Sequence, residues 1–272
     1  MKIKNAVNLF VILLFFAFFS SCTGYNKLLK STDAELKFTK AMELYEKEEY
    51  LKALTLFEQL IPIYRGNVKE AEINYYYAYC NYYLGDYIIA GYHFRNFSQT
   101  YGLSQWAEEC QFMGAYCYYL DSPRFTLDQE NTLAAISQIQ LFVNQYPQSP
   151  RLEECNRLLD ELRDKLAQKS FEASKMYYNL EYYKSAITAL KNTLKEFPDA
   201  NFKEELMFLI FKSAYLYADN SVDNKQEERY EEALKEYKAF TFHYKEGKFV
   251  KDAEKMYSDI IKKLEVIQNK AI

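Results

Sequence analysis

One spacing recurs five times along this chain and leaves little freedom in how it can fold. Ala53, Ala90, Ala135, Ala186 and Ala233 serve as anchors. Three residues before them stand Tyr50, Tyr87, Thr132, Tyr183 and Tyr230; four after stand Phe57, Phe94, Ile139, Leu190 and Tyr237; eleven after stand Tyr64, Tyr101, Tyr146, Phe197 and Tyr244. Offsets of −3, 0, +4 and +11 share one face of a helix with 3.6 residues per turn. A small residue lets two helices approach closely, and a large one four positions on fills the next groove. A second helical stretch lies upstream of each anchor, clearest from Ala71 to Leu84 before the turn Gly85-Asp86-Tyr87. The pattern therefore predicts stacked helical hairpins, each burying a face it could not bury alone.

Composition agrees. In 272 residues there are only 7 glycines and 5 prolines, which argues against a fold rich in tight turns, while 27 tyrosines and 20 phenylalanines supply rings for interlocking helix faces. The first two anchors are 37 residues apart and later ones 45, 51 and 47 apart, so the later repeats need extra length. It falls around Asp121 to Asn131, in an unbroken helical stretch from Leu152 to Leu180, and in a polar insertion around Asn220 to Glu228. Thr32-x-x-Glu35 and Asn201-x-x-Glu204 read as capping boxes, Ser149-Pro150 as a cap followed by a first-turn proline, and Pro62 as the end or a kink of its helix. A last helix, about Lys248 to Gln268, presents Val250, Ala253, Met256, Tyr257, Ile260, Ile261 and Leu264 on one face and would cap the stack.

The first residues serve another purpose. Lys2 and Lys4 precede an apolar run of 11 residues from Leu9 to Phe19, too short to span a bilayer, and then Ser20-Ser21-Cys22. Positive start, short apolar run and small residues at a boundary make a secretory signal peptide over 1–21. The cysteine directly after it resembles a bacterial lipobox, with Phe19 where leucine is usual. That resemblance implies acylation of Cys22, and several acyl chains hold a protein stably on a bilayer. Without Lys2 and Lys4 the chain carries 32 basic and 38 acidic residues, mixed along its length. No basic stripe marks it for nucleic acid. Cys80, Cys110, Cys117 and Cys155 have no metal-binding spacing; disulfides would be permitted in an exported protein, but their apolar helical neighbours favour buried free thiols.

The second copy, with Tyr77-Ala78, Gly85, Tyr87, Ala90 and Phe94, resembles the tetratricopeptide (TPR) repeat. That implies an all-α, right-handed α-solenoid of about five TPR-like hairpins plus a C-terminal capping helix. The expected layout is a lipidated tether over 22–32 and a solenoid over 33–272, with N-terminal repeats at 33–147 and C-terminal repeats at 148–268. Lipobox, repeat number and the segment Leu162 to Pro198 (LRDKLAQKSFEASKMYYNLEYYKSAITALKNTLKEFP) together resemble the BamD family, the lipoprotein component of the machinery that inserts β-barrels into the outer membrane. The resemblance implies a scaffold on the periplasmic face of the outer membrane. It would hold a BamA-like protein through its C-terminal repeats and meet unfolded barrel precursors through its N-terminal ones. An arginine used by some members for the BamA contact is replaced here by Ala189, so no interface residue carries over. In the repeat register the groove-lining faces of the first three hairpins carry Phe38, Met42 and Tyr45; Tyr75, Tyr79 and Tyr82; Phe112, Tyr116 and Tyr119. Nine large residues where surface positions are mostly charged suggest a groove for an extended aromatic peptide, the competing reading being packing against neighbouring helices.

No catalytic constellation, phosphate loop or metal-ligand spacing is legible, and no cofactor is expected. His93 and His243 stand beside aromatics as packing or surface residues. Two other readings share the fold: a cell-envelope scaffold for division or peptidoglycan synthesis, and a SusD-like glycan-binding lipoprotein, for which the chain lacks the length.

Overall fold

The computed structural model describes residues 24–270. The expected signal peptide and Cys22 lie outside them. The described residues are helical, with no strand: α1 (24–29), α2 (Ala34–Glu46), α3 (Tyr50–Leu60), α4 (Glu70–Tyr83), α5 (Tyr87–Thr100), α6 (Ala107–Leu120), α7 (Glu130–Gln145), α8 (Leu152–Asn179), α9 (Tyr183–Glu196), α10 (Lys203–Asp219), α11 (Asp223–His243) and α12 (Val250–Lys270). They group into two compact units. Of the described residues, one comprises those up to Ser122 with Glu130–Asn156; the other comprises Pro123–Gln129 with those from Arg157 on.

In the N-terminal unit each helix from α2 to α7 packs on the next. Ala53, Ala90 and Ala135 are fully buried. So are the small residues facing them, Ala41, Ala78 and Ala115, each with at most 1% of its surface exposed. Helix α3 stops at Leu60, just before Pro62, as the proline's missing N–H requires. Helices α5 and α6 approach closely. A Cβ on Gly91 would stand 3.1 Å from Cys117 Cβ, and one on Gly114 would stand 3.3 Å from the Arg95 nitrogen. These two glycines are therefore favoured by close contact rather than by backbone conformation.

In the C-terminal unit α9, α10, α11 and α12 pack in succession, with α10 also against α12. Phe211, Tyr230, Ala233, Phe240, Ala253 and Ile260 form its core. Ala186 and Leu190 of α9 join Phe171 of α8 in a second cluster. The last helix buries Ala253, Ile260 and Leu264, the face read from sequence.

Three hairpins share one turn. Glu49 N–H donates to Leu44 O, Asp86 N–H to Asn81 O and Tyr182 N–H to Tyr177 O, at 2.9, 3.0 and 2.9 Å. The residue just before each donor, Glu48, Gly85 or Glu181, is left-handed with φ of 60, 84 and 61°. This six-to-one bond closes a Schellman cap and satisfies carbonyls the helix leaves open.

Local expectations needed correction at three helix starts. Thr32 does not cap α2; Asp33 does, its Oδ1 accepting from Leu36 N–H at 2.9 Å, and Glu35 turns away to Lys69 and Tyr64. Asn201 does not cap α10, whose N-cap Phe202 offers no side-chain acceptor; Glu204 accepts instead from Phe249 N–H. Ser149 accepts from Arg151 N–H, and the helix begins two residues beyond Pro150. In each case a long-range partner or a shift of one or two residues competed with the local motif. The extra length of the fifth repeat, which its spacing left open between helix and loop, is helical from Asp223 on and lengthens α11.

Candidate functional site

The first helices of the N-terminal unit, α2, α4 and α6, carry the nine aromatic-row residues. None of the nine is freely exposed. Phe38, Met42 and Tyr45 lie half-buried against the first core cluster of the N-terminal unit, built on Ala41, Ala53, Leu56, Phe57 and Leu60. Tyr75, Tyr82, Tyr116 and Tyr119 are also half-buried, whereas Tyr79 and Phe112 are 7% and 3% exposed and belong to the interior.

All but Phe38 and Met42 are held by a mesh of ring contacts. Tyr45 meets Tyr76 edge-on at 4.8 Å and Tyr83 at 6.2 Å, while Tyr83 stacks on Tyr50 at 4.5 Å. From Tyr83 the mesh runs to Tyr79 at 5.9 Å and Tyr82 at 5.3 Å, and from Tyr79 to Tyr75 at 4.8 Å. Tyr75 stacks on Trp106 at 5.0 Å. On α6, Phe112, Tyr116 and Tyr119 form a near-parallel pile with centroids 5.7 and 5.6 Å apart. Aromatic pairs of this kind contribute about 0.5–1.5 kcal/mol each beyond area burial. The row is thus pre-ordered, which lowers the entropy lost when a ligand lies on it.

Beneath the row sits a polar strut. Tyr79 Oη donates to Glu109 Oε1 at 2.5 Å, and Arg151 Nη2 donates to Glu109 Oε2 at 2.5 Å. The Arg151 guanidinium lies 4.3 Å from the Phe112 ring centre. Burial, reinforced by the bond to Glu109, pushes the Tyr79 hydroxyl well above the tyrosine range. Burial pushes Tyr75 up to about 12 and raises Tyr82 as well. These phenols stay neutral at any physiological pH, so the face offers hydroxyls and ring faces rather than charge. Sequence reading missed Glu109, Arg151 and Trp106. The two bonds of the strut join residues 30 and 42 positions apart, and no local pattern reports such a pairing.

Elsewhere the singled-out residues are structural. All four cysteines in the described residues are buried free thiols. Burial pushes Cys80 and Cys117 up to about 12 and raises Cys110 and Cys155. His93 packs edge-on against Tyr77 at 4.7 Å, its basicity lowered by burial. Ala189 lies on α9, its carbonyl accepting from Thr193. Among the described residues no group of three or more His, Cys, Asp or Glu is placed to hold a metal ion, and no helix is long and apolar enough to cross a membrane.

No curated protein matches the chain. Two solved structures are similar at 14% identity: the TPR domain of P58(IPK), over 90% of this chain and 67% of that one with a TM-score of 0.40, and the apo form of RapI, over 85% and 81% with a TM-score of 0.31. The family model YfiO, described as an outer membrane lipoprotein, matches residues 30–226, well over half of the 272. The chain, a succession of helical hairpins, belongs to the YfiO family of outer membrane lipoproteins.

Proposed function

We propose that this protein is a scaffold of the β-barrel assembly machinery, anchored by acylated Cys22 to the periplasmic face of the outer membrane. In this reading it works by binding. Its C-terminal repeats hold a BamA-like barrel protein, and the aromatic face of α2, α4 and α6 receives unfolded barrel precursors. The observation that carries the reading is the pre-ordered aromatic row in a member of an outer membrane lipoprotein family. Barrel strands alternate apolar and polar residues and are rich in aromatics. Neutral tyrosines suit such segments, offering ring faces for their aromatics and hydroxyls for their open backbone groups.

The geometry narrows the expected contact set. Tyr79 and Phe112 support the face from within, leaving Phe38, Met42, Tyr45, Tyr75, Tyr82, Tyr116 and Tyr119 to touch a ligand. Capture of the tagged full-length protein from solubilised membranes tests the whole reading. A large β-barrel bearing periplasmic domains is the expected co-purifying protein. Recovery of cell-wall synthesis or division proteins in its place would move the chain to the envelope-scaffold reading.

A further inference from the structure

A cleft in the N-terminal unit lies apart from the aromatic row. It has a volume of about 820 Å³ and opens between α1, α2 and the start of α3. Leu28, Leu36 and Leu44 provide its apolar lining. Its charged lining consists of Lys27, Lys30, Lys40, Lys47 and Lys52 against Glu43 and Glu49, a formal surplus of three positive charges in a chain that is acidic as a whole. Lys40 is paired with Glu43 at 2.7 Å and Lys52 with Glu49. Lys27, Lys30 and Lys47 are exposed and have no carboxylate within ion-pair distance among the described residues.

The position of this cleft matters as much as its chemistry. Gly24 lines it, and Gly24 is two residues from Cys22. Two residues of extended chain reach roughly 7 Å. The wall formed by α1 is firmly set. Tyr25 Oη donates to Lys52 O at 2.9 Å, and the buried Lys37 donates to Leu29 O at 3.1 Å and Gln59 Oε1 at 2.7 Å. Tyr25, Leu28 and Leu29 pack on the first core cluster. An acyl chain on Cys22 therefore places the mouth of the cleft at the level of the lipid headgroups.

We propose that this cleft seats an anionic phospholipid of the bilayer surface, its phosphate met by Lys27, Lys30 and Lys47 and the start of its acyl chains by the three leucines. The proposal rests on the anchoring reading of Cys22. A single apolar wall with unpaired ammonium groups at its rim is what a lipid presents a complement to: charge outside, hydrocarbon within.

The test uses the full-length protein in neutral detergent, titrated with dihexanoyl phosphatidylglycerol, dihexanoyl phosphatidylcholine or inorganic phosphate. Calorimetry reads affinity, and hydrogen exchange reads protection over residues 24–52. Saturable binding of the phosphatidylglycerol with protection of α1 and α2 is expected, and at least about tenfold weaker binding of the phosphatidylcholine. A Lys27→Gln, Lys30→Gln, Lys47→Gln variant should lose at least about tenfold, given the few-fold contribution of each lysine near an anionic surface. Its thermal unfolding should not move, because none of the three side chains is buried or paired. Equal affinity for both lipids, undiminished binding by the variant, or phosphate binding as tight as the lipid would overturn the proposal. Intact mass of the same sample reports separately whether Cys22 is acylated, so a failed anchor and a failed cleft give different results.

Discussion

Tyr82 and Tyr116 are the residues on which the precursor-binding reading turns. Both are half-buried, and neither donates to a buried partner. A Tyr82→Ala, Tyr116→Ala pair should weaken binding of an aromatic barrel-derived peptide about tenfold or more, since aromatic hot spots contribute on the order of 1–2 kcal/mol each, and should leave the helical circular dichroism signal intact. Undiminished binding measured by fluorescence anisotropy would remove the face from the mechanism. Phe112→Ala is the contrasting case. Its ring is 3% exposed and packs against Phe142 at 5.6 Å, so its loss should destabilise the N-terminal unit by about 3–5 kcal/mol. The sequence register located these nine positions but could not separate the two interior residues from the seven half-buried ones. That separation depends on Glu109 and Arg151, which arrive from distant parts of the chain.

Helices and their joints were the most legible level. Period and anchors located nearly every helix, because an apolar face of 3.6-residue period has few other ways to be buried. Helix starts were least legible: Asp33, one residue beyond the expected Thr32, supplies the cap of α2, since several acceptors compete within one turn. The shared Schellman turn gives a paired prediction of opposite sign at equivalent positions. Gly85→Ala places a Cβ at φ 84° and should cost about 1 kcal/mol, whereas Glu181→Gly removes one at φ 61° and should gain up to about 1 kcal/mol. Thermal denaturation of the two variants should move in opposite directions; a loss of stability in both would mean that the turn is not held in the left-handed conformation. The final helix carries its own pH dependence. Lys263 bonds both Asp219 and Asp259, with Tyr230 and Tyr215 donating to them, and these bonds hold the two carboxyls below the ordinary aspartate range. A depressed carboxyl stabilises the folded state fully above its unfolded value, about 3.9, and that contribution is lost as pH falls through the folded value. Hydrogen exchange in α12 should be flat from pH 7 to pH 5, after correction for intrinsic exchange rates, and should lose protection below about pH 4. Asp259→Asn should reduce that acid step.

At the scale of the whole molecule, the cysteines offer one measurement of both folding and maturation. Thiolates are the reacting form, and burial keeps Cys80, Cys110, Cys117 and Cys155 protonated. The native protein should therefore resist a disulfide-exchange reagent at pH 8. After denaturation it should titrate as four thiols of the five cysteines if Cys22 is capped by lipid, and as five if it is not. Rapid reaction in the native state would contradict the closed interior. The fastening of α1 to the first hairpin carries a further consequence. A lipoprotein whose fold begins far from its lipid hangs on a leash and can sweep a large volume; in the proposed anchoring the leash from Cys22 is two residues long, because Gly24 is already helical and Tyr25 and Lys37 tie that helix down. The first hairpin then keeps a fixed height, and whatever it receives must be handed over within touching distance of the bilayer. A flexible Gly-Ser spacer of about ten residues inserted between Thr23 and Gly24 would restore slack without disturbing a single helix contact, and should slow barrel assembly in cells even though the protein stays folded and anchored.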